Sequence, residues 1–357
     1  MPALFKVLVL AGMLVGGALN TIILKYQNKT CIAHCSPEDP APPEFFTQPI
    51  LQTTGMLVGE IVSFMLSVLY NQFAQGRAEM NTADETTRLL VPRARHKAPL
   101  RGTYRLLLGF PAICDTTSTT MLFLILVYIP TSIMNILRGL SIIFASIFAA
   151  KFLGRRLTLV QCISLALVFA GIFFSTLPDL LDNSRVEGCA YDARSLILGV
   201  TLVLVSQLLS AFQYISEDII LERFSVAPVE VAGHEGFFGI STILLVLLPF
   251  YLTSQPTGFF DIVEAVRQVI SHQRLWVSML CFLMTQATAS VCALLVIGFW
   301  GATARATIDQ CRTLVVWAIS MGLGWESFSA VQAAGFAAVV YGNFAYAGSV
   351  SLPFVRG

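Results

Sequence analysis

Charged side chains are scarce in this chain, and the few that interrupt its apolar stretches are the ones with chemistry to offer. Glu60 lies in an apolar run with Ser63 and Ser67 continuing its helical face. Asp115 belongs to an unusually polar run, Cys114-Asp115-Thr116-Thr117-Ser118-Thr119-Thr120, just after Pro111. Asn135 and Arg138 follow Thr131 at +4 and +3. Ser206, Ser210, Gln213 and Glu217 recur at +4, +3 and +4, with Gln207 and Tyr214 beside them. Thr285, Gln286 and Thr288 form a further group, and Arg305, Asp309 and Arg312 recur at +4 and +3. On a helix each set shares one face. A charge at membrane depth costs on the order of 3 kcal/mol even on insertion scales, so it faces a cavity or a partner.

These aligned stripes point to one polar cavity. Its candidate substrate-binding residues are Glu60, Asp115, Asn135, Arg138, Gln207, Gln213, Glu217, Arg305, Asp309 and Arg312. Glu60 and Asp115 are the candidate proton-coupling or cation-binding carboxylates. Blander readings stand beside these. Arg305, Asp309 and Arg312 are spaced to pair among themselves as a structural lock. Glu217-Asp218, Glu222 and His234-Glu235 are placed where helix ends meet water, and Ser or Thr in such helices bond back to their own backbone.

Enzymatic chemistry finds no foothold. The sequence has no Gly-x-x-x-x-Gly-Lys phosphate loop, and His234-Glu235 lacks the second histidine of a zinc-binding His-Glu-x-x-His. Its 4 histidines are dispersed, so neither a metal site nor a cofactor is expected.

The elements that must hold the stripes follow from composition. Of 357 residues, 56% are hydrophobic and 12% charged, against about 25% charged in an ordinary soluble chain. The net charge of +1 gives no bias toward polyanions. A mean hydropathy of +0.75 excludes a soluble domain, a disordered chain and a disulfide-scaffold peptide. Ten stretches approach the roughly 20 apolar residues a membrane helix needs: 5–24, 50–72, 104–128, 131–152, 157–177, 195–217, 232–252, 276–299, 303–324 and 328–350. The first reads as a retained helix rather than a leader, because no small-x-small cleavage site follows it. With the N-terminus in the cytosol, connections on that side hold 13 Lys and Arg against 6 opposite, which places both termini there. Gly12/Gly16 and Gly55/Gly59, each in the string Gly-Met-Leu-Val-Gly, read as close-packing faces.

The 8 cysteines make no paired framework: Cys114, Cys162, Cys281, Cys292 and Cys311 fall inside helices. Cys31, Cys35 and Cys189 fall in lumenal connections, where either Cys31–Cys35 or Cys31–Cys189 is an allowed bridge. The sequon Asn28-Lys29-Thr30 lies too near the first helix to be a good glycosylation site.

The chain also reads as written twice. Residues 159–171 (LVQCISLALVFAG) and 330–342 (AVQAAGFAAVVYG) coincide at five of thirteen positions, including Gln161/Gln332 and Gly171/Gly342, with an offset of 171. A repeat of five helices must insert its second copy upside down, the sequence signature of alternating-access carriers. The expected fold is an all-α membrane protein of ten transmembrane helices in two inverted five-helix repeats, 1–178 and 195–357, joined by a lumenal linker 179–194.

The motif string resembles the drug/metabolite transporter superfamily, and within its nucleotide-sugar-transporter-like branch the F-type members of solute carrier family thirty-five. The resemblance rests on Gly55-Met56-x-x-Gly59-Glu60, Pro111-Ala112-x-Cys114-Asp115, Leu137-Arg138-Gly139 and Leu153-Gly154-Arg155-Arg156-Leu157. It continues through Gln207, Gln213, Glu217-Asp218, Gly233-x-Glu235-Gly236, Thr303-x-Arg305-x3-Asp309-x2-Arg312-Thr313 and Leu323-Gly324-Trp325-Glu326. It implies ten helices, cytosolic termini and a central cavity between two five-helix halves.

Nucleotide-sugar carriers resemble sites built for two phosphate charges, but here six acids (Glu60, Asp115, Glu217, Asp218, Glu235, Asp309) face three bases in the spans (Arg138, Arg305, Arg312). The expected function is therefore a secondary-active carrier for a cationic or zwitterionic metabolite, amine, drug or peptide, with protons as the candidate coupling ion. A nucleotide-sugar/nucleotide antiporter is the alternative within transport, and a transport-inactive membrane interaction protein the alternative of another class. Glu85-Thr86-Thr87-Arg88-Leu89-Leu90, in the long polar connection after the second span, matches an acidic-dileucine sorting signal. Glu85, Leu89 and Leu90 would then engage clathrin adaptors and direct the protein to a lysosomal or vacuolar membrane, with the Golgi as the alternative. Apart from the bilayer and a small-molecule substrate, no nucleic-acid partner is expected.

Overall fold

A computed structural model describes residues 3–35, 43–78, 98–99, 102–125, 137–154, 157–181, 193–253, 261–323 and 329–346. Its helices are α1 (Ala3–Asn28), α2 (Pro49–Ala78), α3 (Gly109–Ile125, led in by a 3-10 turn at Gly102–Leu108), α4 (Leu140–Phe152), α5 (Leu159–Leu181) and α6 (Ala193–Arg223). They continue with α7 (Pro228–Thr253), α8 (Ile262–Ser271), α9 (Gln273–Trp300), α10 (Ala302–Gly322) and α11 (Ala330–Tyr346). Two minimal strand pairs accompany them: β1 (Cys31–Ala33) antiparallel to β2 (Glu44–Phe45), and β3 (Ala98–Pro99) parallel to β4 (Phe224–Ser225). A Cys31–Cys35 disulfide closes the first of these connections, one of the two bridges the sequence allows; Cys189 lies outside the described residues.

Among the described residues six helices are long and apolar enough to cross a membrane: Leu4–Asn28, Pro49–Leu69, Tyr104–Leu124, Ile197–Arg223, Pro228–Leu247 and Gln273–Trp300. The other expected spans are also helical but fall short for identifiable reasons. The described part of α4 has 13 residues and that of α11 has 17. In α10, Arg305, Asp309 and Arg312 lower the hydropathy. Large apolar side chains stand outward, such as Leu4 (70% exposed), Ile197 (67%) and Leu245 (72%), where a water-soluble protein would place polar groups. Helix α8 was not anticipated. Asp261 caps it by accepting from the Glu264 amide at 3.0 Å. Val263, Val266 and Ile270 form an exposed apolar stripe opposite buried Ala265.

The chain divides into two compact units, each drawing on both halves of the sequence: Met1–Thr116 with Leu221–Leu295, and Thr117–Ile220 with Val296–Gly357. In the first unit, small residues let helices approach closely, the usual device where lipid is as apolar as the side chains. Gly16 of α1 faces Ala289 of α9; Gly55 and Gly59 of α2 face Met279, Phe282 and Gln286 of α9. Both Gly-Met-Leu-Val-Gly strings therefore serve as packing faces. Leu57 and Ile50 of α2 bury against Ile243 and Leu247 of α7.

In the second unit α5 and α11, the helices that carry the repeated string, make an extensive contact. A Cβ on Gly171 would come within 2.7 Å of the Gly335 carbonyl and 2.8 Å of the Val339 amide. Gly342 in turn meets Val168 and, at 3.1 Å, the Ser164 carbonyl. Ser164, Val168 and Gly171 are each 171 residues before Gly335, Val339 and Gly342, so the two sets of contacts exchange under the repeat. Ile142 and Ala145 of α4, Ala211 of α6 and Ala306 of α10 complete this unit's core.

Candidate functional site

The first unit holds a chain of polar side chains ending on a buried carboxylate. Asn20 of α1 donates through Nδ2 to Gln286 Oε1 of α9, and accepts from Thr285 Oγ1. Gln286 Nε2 donates to Ser290 Oγ at 2.9 Å, and Ser290 Oγ donates to Glu60 Oε1 at 2.9 Å. Glu60 is 6% exposed and packs against Gly236 of α7, where a Cβ would meet its Cβ at 3.2 Å. Glu235, beside Gly236, is buried too, at 4% exposed. Asp115 is half-buried on α3, between buried Cys114 and Thr116. A second polar set, Gln27, Gln52 and Ser278, is hydrogen-bonded nearer the end of α1, and Gln52 Nε2 donates to Asn28 Oδ1 at 2.8 Å.

The second unit holds an ionic cluster on α6 and α10. Arg305 donates to Glu217 Oε2, and its guanidinium lies 4.4 Å from the centre of the Tyr214 ring. Glu217 is fully buried. The neighbouring Asp218, 3% exposed, accepts the Ala302 amide hydrogen at 2.9 Å. It thereby holds the first turn of α10, which follows Gly301 at φ +86°. Arg312 pairs with Asp309 at 3.4 Å, one turn away on the same helix. Arg138, at the foot of α4, lies within Coulombic reach of Asp309, Arg312 and Tyr214. Gln207 and Gln213 are buried on α6; Gln207 Nε2 donates to Ser206 Oγ at 3.2 Å, which itself donates to the Ser118 carbonyl of α3.

Two expectations need correction. Glu217, Asp218 and Glu235 are not solvated helix ends; all three are buried, and Glu217 and Asp218 dock α6 onto α10. Glu222 alone of that group is exposed. Nor do Arg305, Asp309 and Arg312 form a closed trio, because Arg305 turns to α6 and only Asp309 and Arg312 pair. Glu60 and Asp115 belong to the first unit; Arg138, Gln207, Gln213, Glu217, Arg305, Asp309 and Arg312 belong to the second. Asn135, and the sorting residues Glu85, Leu89 and Leu90, lie outside the described residues. Sequence reasoning passed over Asn20 and Ser290, isolated polar residues whose only signal is their rarity in apolar helices.

Six apolar helices of membrane length, with polar and ionic clusters buried among the helices of each unit, mark a multi-pass membrane protein. A profile of the UAA transporter family matches residues 52–350. The chain is 30% identical over 349 residues to human solute carrier family 35 member F6, covering 96% of this chain and 88% of that one, and equally identical to the mouse protein of that name. An uncharacterised protein of Schizosaccharomyces pombe is 28% identical over 353 residues, 96% of this chain and 98% of its own. A crystal structure of a protein 12% identical overlays with a TM-score of 0.54 over 96% of each chain, a likeness of fold alone. The chain belongs to the UAA transporter family, as an F-type member of solute carrier family 35 in the drug/metabolite transporter superfamily. It is a multi-pass membrane solute transporter and not an enzyme.

Proposed function

We propose that the protein is a secondary-active carrier working by alternating access on a cationic or zwitterionic small metabolite, amine, drug or peptide, with protons as the coupling ion. One observation carries the substrate class. The three arginines placed inside spans all belong to the second unit, where Glu217, Asp218 and Asp309 stand with them, whereas Glu60, Glu235 and Asp115, buried or half-buried, belong to the first, which holds none of those arginines. A polyphosphate would meet acidic groups in that first unit. An amine is what such carboxylates bind best, and a proton is what a buried carboxylate exchanges.

Ten spans in two inverted repeats, 1–178 and 195–357, fit the same reading. The exchange of the Gly171 and Gly342 contacts under a shift of 171 residues supports it, since a two-fold between inverted repeats requires each contact to recur. An acidic lumen would supply the proton gradient, and the Glu85-Leu89-Leu90 signal would deliver the protein to such a membrane, lysosomal or vacuolar, with both termini in the cytosol.

The test is flux in proteoliposomes across a range of pH for Glu60→Gln and Asp115→Asn. At least one substitution should abolish the pH dependence while leaving the folded protein intact. Wild-type pH dependence in both would remove the coupling role from these carboxylates.

A further inference from the structure

Helical periodicity sorts the side chains of α8 onto three faces. Ile262 and Ala265 turn inward, Ile262 onto the core cluster of α2 and α7. Glu264, Arg267 and Ser271 form a polar face, where Arg267 pairs with Glu264 at 3.7 Å and Ser271 Oγ donates to the Arg267 carbonyl at 2.8 Å. Between these faces stand Val263 (69% exposed), Val266 (39%) and Ile270 (71%). A continuous apolar stripe of this kind is unfavourable in water.

The two ends of α8 fix its height. Ile262, in its first turn, packs on the cluster of Ile50 and Leu247. Ile50 stands at the start of the span Pro49–Leu69, and Leu247 closes the span Pro228–Leu247. Gln268 accepts from Gln48 Nε2 at 3.3 Å, immediately before Pro49. At the other end a single extended residue, His272, separates Ser271 from α9. The Leu275 amide donates to the His272 carbonyl at 2.9 Å, which opens the span Gln273–Trp300. A helix of 10 residues is about 15 Å long. Held by the ends of two spans on one side and the start of a third on the other, it lies along the membrane boundary and not through it.

We infer that α8 is an interfacial helix whose Val263–Val266–Ile270 stripe docks on the bilayer itself, at the edge of the hydrocarbon of one leaflet, and recognises acyl chains and not headgroup charge. Two observations select the bilayer over a second copy of the chain. The outward apolar surface resumes within the first turns of α9, at Trp276, Val277 and Leu280, so the stripe is continuous with a surface that lipid must cover. Trp276 stands where tryptophan is favoured, at the level of the headgroups. The charges then decide against headgroup selection: Asp261 and Glu264 offset Arg267 and Arg274. At neutral pH, where His272 adds little charge, this segment has no excess with which to choose anionic lipid. The inference holds whether or not the protein is a proton-coupled carrier.

The experiment uses the full chain with Cys162 and Cys281, its exposed free thiols, replaced by Ser. Ile270→Cys and, separately, Ser271→Cys carry an environment-sensitive fluorophore in phosphatidylcholine liposomes, with the unsubstituted background subtracted. Quenchers are iodide on both faces and lipids bearing a nitroxide at the top or the far end of the acyl chain. The probe on Ile270→Cys should be quenched about twofold or more better by the shallow nitroxide than by the deep one, and should be shielded from iodide. The probe on Ser271→Cys should show the reverse preference, iodide over lipid. Replacing part of the phosphatidylcholine by phosphatidylserine at neutral pH should leave both patterns unchanged. Val266→Cys takes the place of Ile270→Cys if the latter fails to fold. A stripe probe open to iodide, one quenched best by the deep nitroxide, or one quenched only when anionic lipid is present overturns the inference. So does a stripe probe silent to every quencher whose cysteine cross-links two copies of the chain, which would make the occupant a second protomer.

Discussion

Glu217 and Asp218 are adjacent on α6 yet hold α10 by different means, and their removal should cost different amounts. Glu217→Ala leaves Arg305 buried without its carboxylate, a loss of about 3–5 kcal/mol for a broken buried pair. Asp218→Ala removes one hydrogen bond from the Ala302 amide to a carboxylate, worth about 1.5–3 kcal/mol. Melting temperatures of the two variants in nanodiscs should therefore separate clearly, with Glu217→Ala the lower, and replacing Glu217 and Arg305 together by apolar residues should recover part of the difference. Equal small shifts would mean that the Glu217–Arg305 pair is solvated. At this scale the sequence disclosed which residues matter better than whom they touch. The +4 and +3 spacing of Arg305, Asp309 and Arg312 truly puts them on one face. A partner on α6, 88 residues earlier, leaves no local mark. Asp218 and Glu235 read as wet helix ends because polar neighbours follow them, and only packing of the next helix dries them.

At the scale of elements, α5 and α11 meet through glycines because only a hydrogen fits. Gly335→Leu should prevent their packing and abolish recovery of folded protein. Gly298, with nothing within 4 Å of where a Cβ would stand, should accept alanine with a change of about 1 kcal/mol toward stability. Size-exclusion profiles and melting curves of the two variants decide between packing glycines and incidental ones; a well-folded Gly335→Leu protein would refute the close contact. The six membrane-length helices were legible from hydropathy alone, and both Gly-Met-Leu-Val-Gly faces from their spacing. Helix α8 was missed although its signals are present: Asp261 three residues before Glu264, then an apolar stripe at Val263, Val266 and Ile270. A ten-residue amphipathic helix is too short to register in a search for spans. Its exposed stripe suits the boundary between headgroups and acyl chains.

At the scale of the whole molecule, family membership and multi-pass transport rest on similarity along 96% of the chain, while substrate, coupling and destination rest on a handful of charges and one short signal. Replacing Leu89 and Leu90 by Ala should shift the tagged protein away from lysosomal or vacuolar membranes; unchanged localisation would discard the signal, and a Golgi pattern in the wild type would argue for nucleotide-sugar exchange. The most direct test of the account is uptake by the purified protein in liposomes, across a panel of amines, amino acids and other zwitterions, nucleotide sugars and peptides, with and without a pH gradient. The account predicts that at least one cationic or zwitterionic solute is taken up and that the gradient accelerates it. Flux that appears only with a nucleotide on the opposite side, or no flux of any solute, would contradict it.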